Sequence, residues 1–270
     1  MLMSIYKNEK PEYLKQALDS ILNQTLLPDE IVIVKDGLLT QELDEVLNEY
    51  ASKNKIINFL AFEKNRGLGL ALRDGVLACK NELIARMDTD DIAKPLRFEK
   101  QMIYLMQHPD ISLLGSWIEE FDKNPNCPKS NSILPITHDE ILKFAKRRNP
   151  FRHVSVVFKK SAVINSGNYR HFLWFEDYDL WIRMFQKGYK TANLSEVLLS
   201  VREDKKMYER RGGWAYLKQD YKFNKFLLNS KFINKIDFLL NICIRVTIRL
   251  MPNKIRELFY EKILRSKINK

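Results

Sequence analysis

The chain is poor in the residues that staple a fold or loosen it. Its three cysteines, Cys79, Cys127 and Cys243, form no CxxC pair and have no histidine at zinc-like spacing. That excludes a disulfide framework and a structural zinc site, and it fits a reducing compartment. Nine glycines and nine prolines exclude collagen-like and low-complexity chains. No run of eighteen apolar residues occurs, so no membrane span is expected. The apolar run that opens the chain is too short for a secretory leader, because Tyr6 and Lys7 follow it at once. A third glycine is missing from Asn65-Arg-Gly-Leu-Gly69, where Leu72 stands in its place, and no GKS/T follows. A dinucleotide fingerprint and a P-loop are therefore disfavoured. Four histidines (His108, His138, His153, His171) show no ligand spacing, and no Ser-His-Asp or Cys-His order is legible.

What the chain does contain is enough apolar sequence for a core, 45% over 270 residues, and a lopsided charge. Residues 201–270 carry 18 Lys/Arg and 7 Asp/Glu, which equals the excess of +11 for the whole chain. Residues 1–200 are thus neutral overall, and the body, 1–202, carries a basic region, 203–270. The body alternates short Ile/Val-rich runs (2–5, 30–35, 56–62, 82–87) with amphipathic stretches (12–23, 41–51, 70–78, 96–108). This order predicts an α/β fold, a Rossmann-like, mostly parallel sheet flanked by helices. Further on, strands are expected over 111–116 and 154–158, a loop over 122–136, and helices over 161–166 and 176–187, the last closed by Gly188.

In such sheets ligands sit beyond the carboxyl ends of the strands. Four polar stretches fall there: residues 6–10, Asp36-Gly37, 63–69 and Asp88-Thr-Asp-Asp91. Carboxylates at i and i+2 can converge on one hard cation such as Mg²⁺ or Mn²⁺, which takes few protein oxygens and leaves the rest to phosphate and water. The same triplet could instead be an acidic turn capping the next helix; its place at a strand end favours a metal-diphosphate site. Glu176-Asp-Tyr-Asp179, flanked by Trp174-Phe175, is either an ordinary acidic first turn or a general base beside aromatic surfaces that could stack on a ring. Asp36 could be a turn residue or an acceptor for a base or ribose, with Tyr6 as a stacking face. Arg73 could face a phosphate or solvent, and His153, just before a strand, is the histidine worth following.

Five segments, taken together, resemble family 2 glycosyltransferases of the GT-A fold. They are Ser4-Ile-Tyr-Lys-Asn-Glu9, Ala17-Leu-Asp-Ser-Ile-Leu-Asn-Gln-Thr25, Glu30-Ile-Val-Ile-Val-Lys-Asp-Gly37, Ala85-Arg-Met-Asp-Thr-Asp-Asp-Ile92 and Trp174-Phe-Glu-Asp-Tyr-Asp-Leu-Trp-Ile-Arg183. The segment from His153 to Ser161 also looks like that family's acceptor side. The likeness covers residues 1 to about 202 and is greatest to bacterial enzymes that build O-antigen or capsule repeat units. It implies an inverting, metal-dependent transfer of a hexose (glucose or galactose) from a UDP-sugar onto an N-acetylhexosamine-diphospho-undecaprenol type of acceptor, a β1,3 bond being favoured.

On that likeness Tyr6 would stack on uracil and Asp36 would bind its polar edge. Arg73 would support the diphosphate, and Asp88 the ribose or sugar hydroxyls. Asp90, with Asp88, would hold Mn²⁺ or Mg²⁺, Asp91 would lie beside the donor sugar, and Asp177 would be the base. His153, Glu176 and Trp181 would form the acceptor side. Lys35 departs from the family pattern, in which an acidic residue often precedes the position of Asp36.

In the basic region Asp237, Asn241, Arg245 and Arg249 recur every fourth residue as a narrow polar stripe on an otherwise apolar helix, and Pro252 ends it. A second amphipathic helix (Ile255, Leu258, Phe259, Ile263) is expected after it. Residues 214–270 read as an interfacial anchor, with Lys/Arg toward an anionic membrane surface, or as a helical appendage packed on the body. The anchor places the protein peripherally on the cytoplasmic face of a bacterial inner membrane, and removing 236–270 is expected to release it. The wide Leu/Ile/Phe face argues against nucleic acid as the partner. Two other functions compete: a nucleotidyltransferase, which would want a Gly-rich loop where Tyr6-Lys-Asn-Glu-Lys10 has none, and a non-catalytic membrane scaffold of the same fold.

Overall fold

A computed structural model of the chain describes residues 1–203 and 212–252, together with residue 255 and residues 266–267. Its first seven elements follow the periodicity of the sequence: β1 (Leu2–Ile5), α1 (Pro11–Leu22), β2 (Ile31–Asp36), α2 (Gln41–Lys53), β3 (Ile57–Phe62), α3 (Leu68–Ala78) and β4 (Leu83–Ala85). The strands β1, β2 and β3 pair in parallel, and a parallel bridge from Leu2 to Arg86 carries the sheet on to the end of β4. Leu2, Val32 and Val34 face a core shared with Ala71, Leu72 and Val76 of α3, while Met3, Ile5, Ile31 and Ile33 face the opposite core with α1 and α2. Both faces of β1 and β2 are covered, which is why these two strands read as continuous apolar runs, whereas β3 leaves Asn58, Phe59 and Ala61 exposed.

The second half is mixed. It comprises β5 (Ile92–Ala93), α4 (Arg97–Gln107), β6 (Ile111–Phe121), β7 (Ser130–Ser132), α5 (His138–Phe144), a 3₁₀ turn at His153–Ser155, β8 (Val157–Lys159), α6 (Lys160–Asn165), α7 (Glu176–Gln186) and β9 (Lys190–Arg202). Antiparallel pairings join β4 to β8, β8 to β6 and β6 to β7, while β9 runs parallel to β6. Three expectations change here. β6 continues to Phe121, and the supposed loop 122–136 contains β7, paired to residues 118–120. The strand expected over 154–158 begins as a 3₁₀ turn, because the Ser155 hydroxyl accepts the Ser116 backbone N–H (3.1 Å) and diverts the chain from the ladder.

Two helices close the described fold, α8 (Gly213–Asn229) and α9 (Lys235–Leu250), and the two-residue strand β10 (Ser266–Lys267) pairs with β7. α8 is part of the body: Tyr216, Phe223 and Leu227 join the same core as Phe175 and Tyr178, with the Phe175 and Phe223 rings stacked at 4.7 Å. The polar stripe of α9 points inward, not toward headgroups. Arg147 donates to Asp237 Oδ1 (2.6 Å) and Asn241 Oδ1 (3.0 Å), Arg245 donates to the Arg147 carbonyl (2.7 Å), and Arg249 donates to buried Asp220 (2.6 Å). Asp220 and these carbonyls are acceptors that burial obliges to find donors, and the stripe supplies them.

The opposite face of α9 is therefore turned outward: Ile236, Leu239, Leu240, Ile244, Val246 and Leu250 are exposed. After Lys235 at the start of the helix, none of its exposed side chains is charged. Among the described residues no helix is long and apolar enough to cross a membrane. Most of the expected linker 203–213 and most of the second amphipathic helix lie outside the described residues.

Candidate active site

A cleft of about 1550 Å³ opens along the carboxyl ends of β1, β2 and β4. Tyr6, Glu9, Asp36, Gly37, Asn65, Gly67, Gly69, Asp88, Asp90, Trp174, Glu176, Arg202 and Tyr216 are among its lining residues. At one end the turn after β2 and the loop before α3 are built on each other. Gly37 has φ +94°, and a Cβ there would lie 2.8 Å from the Asn65 nitrogen, so neither the conformation nor the space admits a side chain. Both Asp36 oxygens accept backbone N–H groups, from Arg66 (2.8 Å) and Gly67 (3.0 Å). Asp36 thus organises the loop first and keeps its remaining lone pairs for a ligand. Tyr6, 44% exposed, offers an open ring beside it. Lys35 turns away onto Asp44 (2.6 Å), which explains how a cation is tolerated before Asp36.

At the centre, the end of β4 delivers the acidic triplet. Oxygen atoms of Asp88, Asp90 and Asp91 lie within 4.8 Å of one another. Arg86, 2% exposed, donates to Asp88 from within the fold. Arg97, also buried, holds the carbonyls of Arg86 (2.7 Å) and Val154 (3.1 Å) and so fixes the strand end from behind. Burial first, then Asp88 and Glu9, push the Asp90 carboxyl up to about 7. Asp91 is raised by burial and then by Asp90 and Asp88, although the Arg202 backbone N–H bonds one of its oxygens (2.9 Å). A crowd of oxygen-only acceptors that repel one another is the donor set of a hard divalent cation, and these residues fit one.

On the opposite wall α7 begins with Glu176. Gly69 is what lets α3 approach this wall: a Cβ at that position would meet the Arg170 carbonyl oxygen at 2.4 Å and Glu176 Cβ at 3.1 Å. Burial, and then Asp177, raise Glu176 to about 7. Asp177 itself stands behind it, off the lining; Asn149 donates to its Oδ2 (2.6 Å) and the Tyr178 N–H to its Oδ1 (2.7 Å). Burial raises Asp177 as well, and those two donors oppose the rise. The carboxylate that meets the cleft is that of Glu176.

The structure therefore gathers Tyr6, Asp36, Asp88, Asp90 and Glu176 in one cleft and leaves other expected residues off its lining. Trp181 is fully buried, edge-on to Phe151 (5.9 Å) and His153 (6.0 Å), so it is a core residue rather than an acceptor contact. Beyond Glu176, α7 is buried from Asp177 to Phe185 and has no further face left for a ligand. His153 hydrogen-bonds the Tyr169 hydroxyl through Nε2 (2.9 Å), and burial with nearby Arg86 lowers its pKa, which keeps it neutral. Arg73 falls on the outer side of α3 and pairs with Asp74 (2.8 Å). Asp91 sits behind Asp88 and Asp90, bonded by the Arg202 backbone N–H, rather than in the lining. Glu9, Arg202, Asn149 and Tyr216 were missed. Glu9 lies inside a quoted motif and accepts from Thr89 (2.7 Å), whereas the other three are brought in by chain reversals that no local pattern announces.

The profile of "Glycosyl transferase family 2" matches residues 2–172. The chain belongs to this family. Family 2 membership, with relatives named as glycosyltransferases, makes it an enzyme of that class and disposes of the nucleotidyltransferase reading. The "Amylovoran biosynthesis glycosyltransferase AmsE" of Erwinia amylovora is 42% identical over 97% of both chains. The "UDP-Gal:alpha-D-GlcNAc-diphosphoundecaprenol beta-1,3-galactosyltransferase" of Escherichia coli is 36% identical over 98% of this chain and 96% of its own. Among solved structures, S. aureus TarS 1-349 in complex with UDP-GlcNAc superposes with a TM-score of 0.67 at 13% identity, covering 91% of this chain and 70% of that one. The mannosyltransferase PcManGT of Pyrobaculum calidifontis, solved with GDP-Man and Mn²⁺, gives 0.64 at 13% identity over 94% and 70%. The fold of this family 2 enzyme is that of these GT-A glycosyltransferases.

Proposed function

We propose that this family 2 enzyme moves a hexose, galactose or glucose, from its UDP-sugar to an N-acetylhexosamine on a polyprenyl diphosphate, forming a β1,3 bond with inversion. The observation that carries the reading is one cleft with the carboxylates of Asp88 and Asp90 on one wall and an ionisable carboxylate, Glu176, on the other. Likeness along nearly the whole chain to an enzyme printed with such a donor and acceptor supports it. Asp88 and Asp90 would hold Mn²⁺ or Mg²⁺, which supplies charge stabilisation for the departing diphosphate. Tyr6 and Asp36 bind the base end of the donor. The acceptor hydroxyl oxygen attacks the anomeric carbon from the face opposite the diphosphate. As the C–O bond to UDP breaks, the hydroxyl proton passes to the Glu176–Asp177 carboxylate pair.

The test is a panel of UDP-sugars offered to the purified protein with a synthetic GlcNAc-diphospho-lipid acceptor, reading product mass and anomeric configuration. A β-linked hexose product is expected from one α-linked donor. An α-linked product, or transfer from GDP-sugars only, would overturn the reading.

The membrane is reached, on this proposal, through the uncharged outer face of α9 together with the basic excess of residues 201–270. Truncation at 236 is a poor test, because it would strip Asp220 of its buried partner Arg249. Leu240→Glu with Ile244→Glu leaves those contacts in place. Sedimentation with anionic vesicles is expected to fall at least about tenfold, as two acyl-buried side chains become charged, with an unchanged melting temperature. Vesicle binding equal to that of the unaltered protein would refute this surface as the anchor.

A further inference from the structure

The segment that leads into α7 makes a tight turn, with the Phe175 N–H donating to the Phe172 carbonyl (2.9 Å). Two of its rings point inward, Phe172 and Phe175 packing on Phe223 of α8 at 5.5 and 4.7 Å. Trp174 does not. It is 41% exposed and has φ +67°, the left-handed region that a bulky residue rarely adopts. Its indole lies flat on the ring of Tyr216, with centroids 4.6 Å apart and planes 8° from parallel. The guanidinium of Arg249 lies over the same Tyr216 ring at 4.2 Å and is itself held by buried Asp220. Trp174 and Tyr216 both line the cleft that holds Asp88, Asp90 and Glu176. A strained backbone, a large apolar ring left partly in water and a rigid backing from another helix are ill suited to stabilising a core. They suit a ligand clamp.

We infer that Trp174, backed by Tyr216, is the stacking platform for the pyranose ring of the acceptor sugar, and that α8 is thereby part of the acceptor site. Trp174 stands two residues before Glu176, and the base-end residues Tyr6 and Asp36 belong to other loops of the cleft. A ring that rests its C–H face on the indole lies beside the carboxylate that takes the proton from its hydroxyl. The platform is sequence-separated: Tyr216 comes from the region that reads as basic anchor, so one helix pair both reaches the outer apolar face and completes the sugar site. The inference rests on the acceptor being a sugar, as proposed above.

Steady-state kinetics on Trp174→Ala, Trp174→Phe and Tyr216→Ala test it, varying donor and acceptor separately. In Trp174→Ala the KM for the GlcNAc-diphospho-lipid acceptor is expected to rise about tenfold or more, the scale of a lost stacking contact. The KM for the UDP-sugar should stay within about twofold, Trp174→Phe should recover most of the loss, and Tyr216→Ala should raise the acceptor KM alone, as its backing role demands. A parallel rise in both KM values, or an unchanged acceptor KM in Trp174→Ala, overturns the platform. A second readout does not depend on turnover. In ¹H–¹⁵N spectra of the full chain with UDP, a GlcNAc methyl glycoside should shift one indole N–H signal, the one missing from Trp174→Phe. If that signal moves while no transfer to the lipid acceptor occurs, the proposed function fails and the platform stands. If transfer proceeds but the signal does not move, the platform fails.

Discussion

Asp90→Asn is expected to lower sugar transfer by at least about 100-fold, the scale of losing a catalytic cation or its ligand field. The triplet is not uniform. Asp88 already answers to Arg86, and Asp91 to the Arg202 backbone N–H, whereas Asp90 is raised to about 7 by burial and by its acidic neighbours Asp88 and Glu9. A carboxyl in that position gains most when a dication arrives, because the ion reverses the local electrostatics. Calorimetric titration of Mn²⁺ in the presence of UDP should therefore show a loss of affinity in Asp90→Asn that parallels the loss of rate. The pH dependence has a definite sign. Since the carboxyl is raised, it is protonated below about 7, and a ligand must shed its proton to bind. Mn²⁺ affinity should weaken as pH falls through that value and level off above it. Ordinary affinity and rate in Asp90→Asn would remove the cation from this site.

Glu176→Gln and Asp177→Asn are each expected to reduce kcat by at least about 100-fold, the lower end of the range for loss of a general base, with little change in the affinity for UDP. Glu176 meets the cleft, and the charge of Asp177 behind it is one reason for its rise to about 7. A raised carboxyl is neutral below its titration point and cannot accept a proton there, so kcat should climb as pH rises through about 7. Asn149 donates to Asp177 and opposes the effect of burial on it. Normal kcat in Asp177→Asn, with a lost Glu176→Gln, would confine the base to Glu176; normal rates in both would place the base outside this pair.

The parallel half of the fold was legible because each of its elements satisfies itself locally. Strands buried on both faces, such as β1 and β2, must be apolar throughout, helices over them must be amphipathic, and polar loops then fall at the strand ends; the bounds of β1 to α3 follow that alternation closely. The antiparallel half was less legible. β9 carries register irregularities against β6 and a sequence, Lys190 to Arg202, with no strict alternation, so its pairing with β6 and β5 rather than its own pattern defines it. Trp181 and His153 misled for a related reason: aromatic and imidazole groups next to a catalytic motif look the same in sequence whether they face a cleft or a core.

The chain's composition and spacing determined the α/β class, the acidic triplet at a strand end, the second acidic pair and the basic C-terminal region. Those are properties of neighbours along the chain, and short-range sterics and hydrophobic period write them into the sequence. Only the tertiary structure decided which carboxylate of the pair meets the cleft, that the polar stripe of α9 is an internal seam, and that Tyr216 sits beneath Trp174. Each of these depends on which groups, distant in sequence, burial forces to satisfy one another. Asp220 needs Arg249, Asp177 takes Asn149, and the exposed faces are those left over when such pairings are complete.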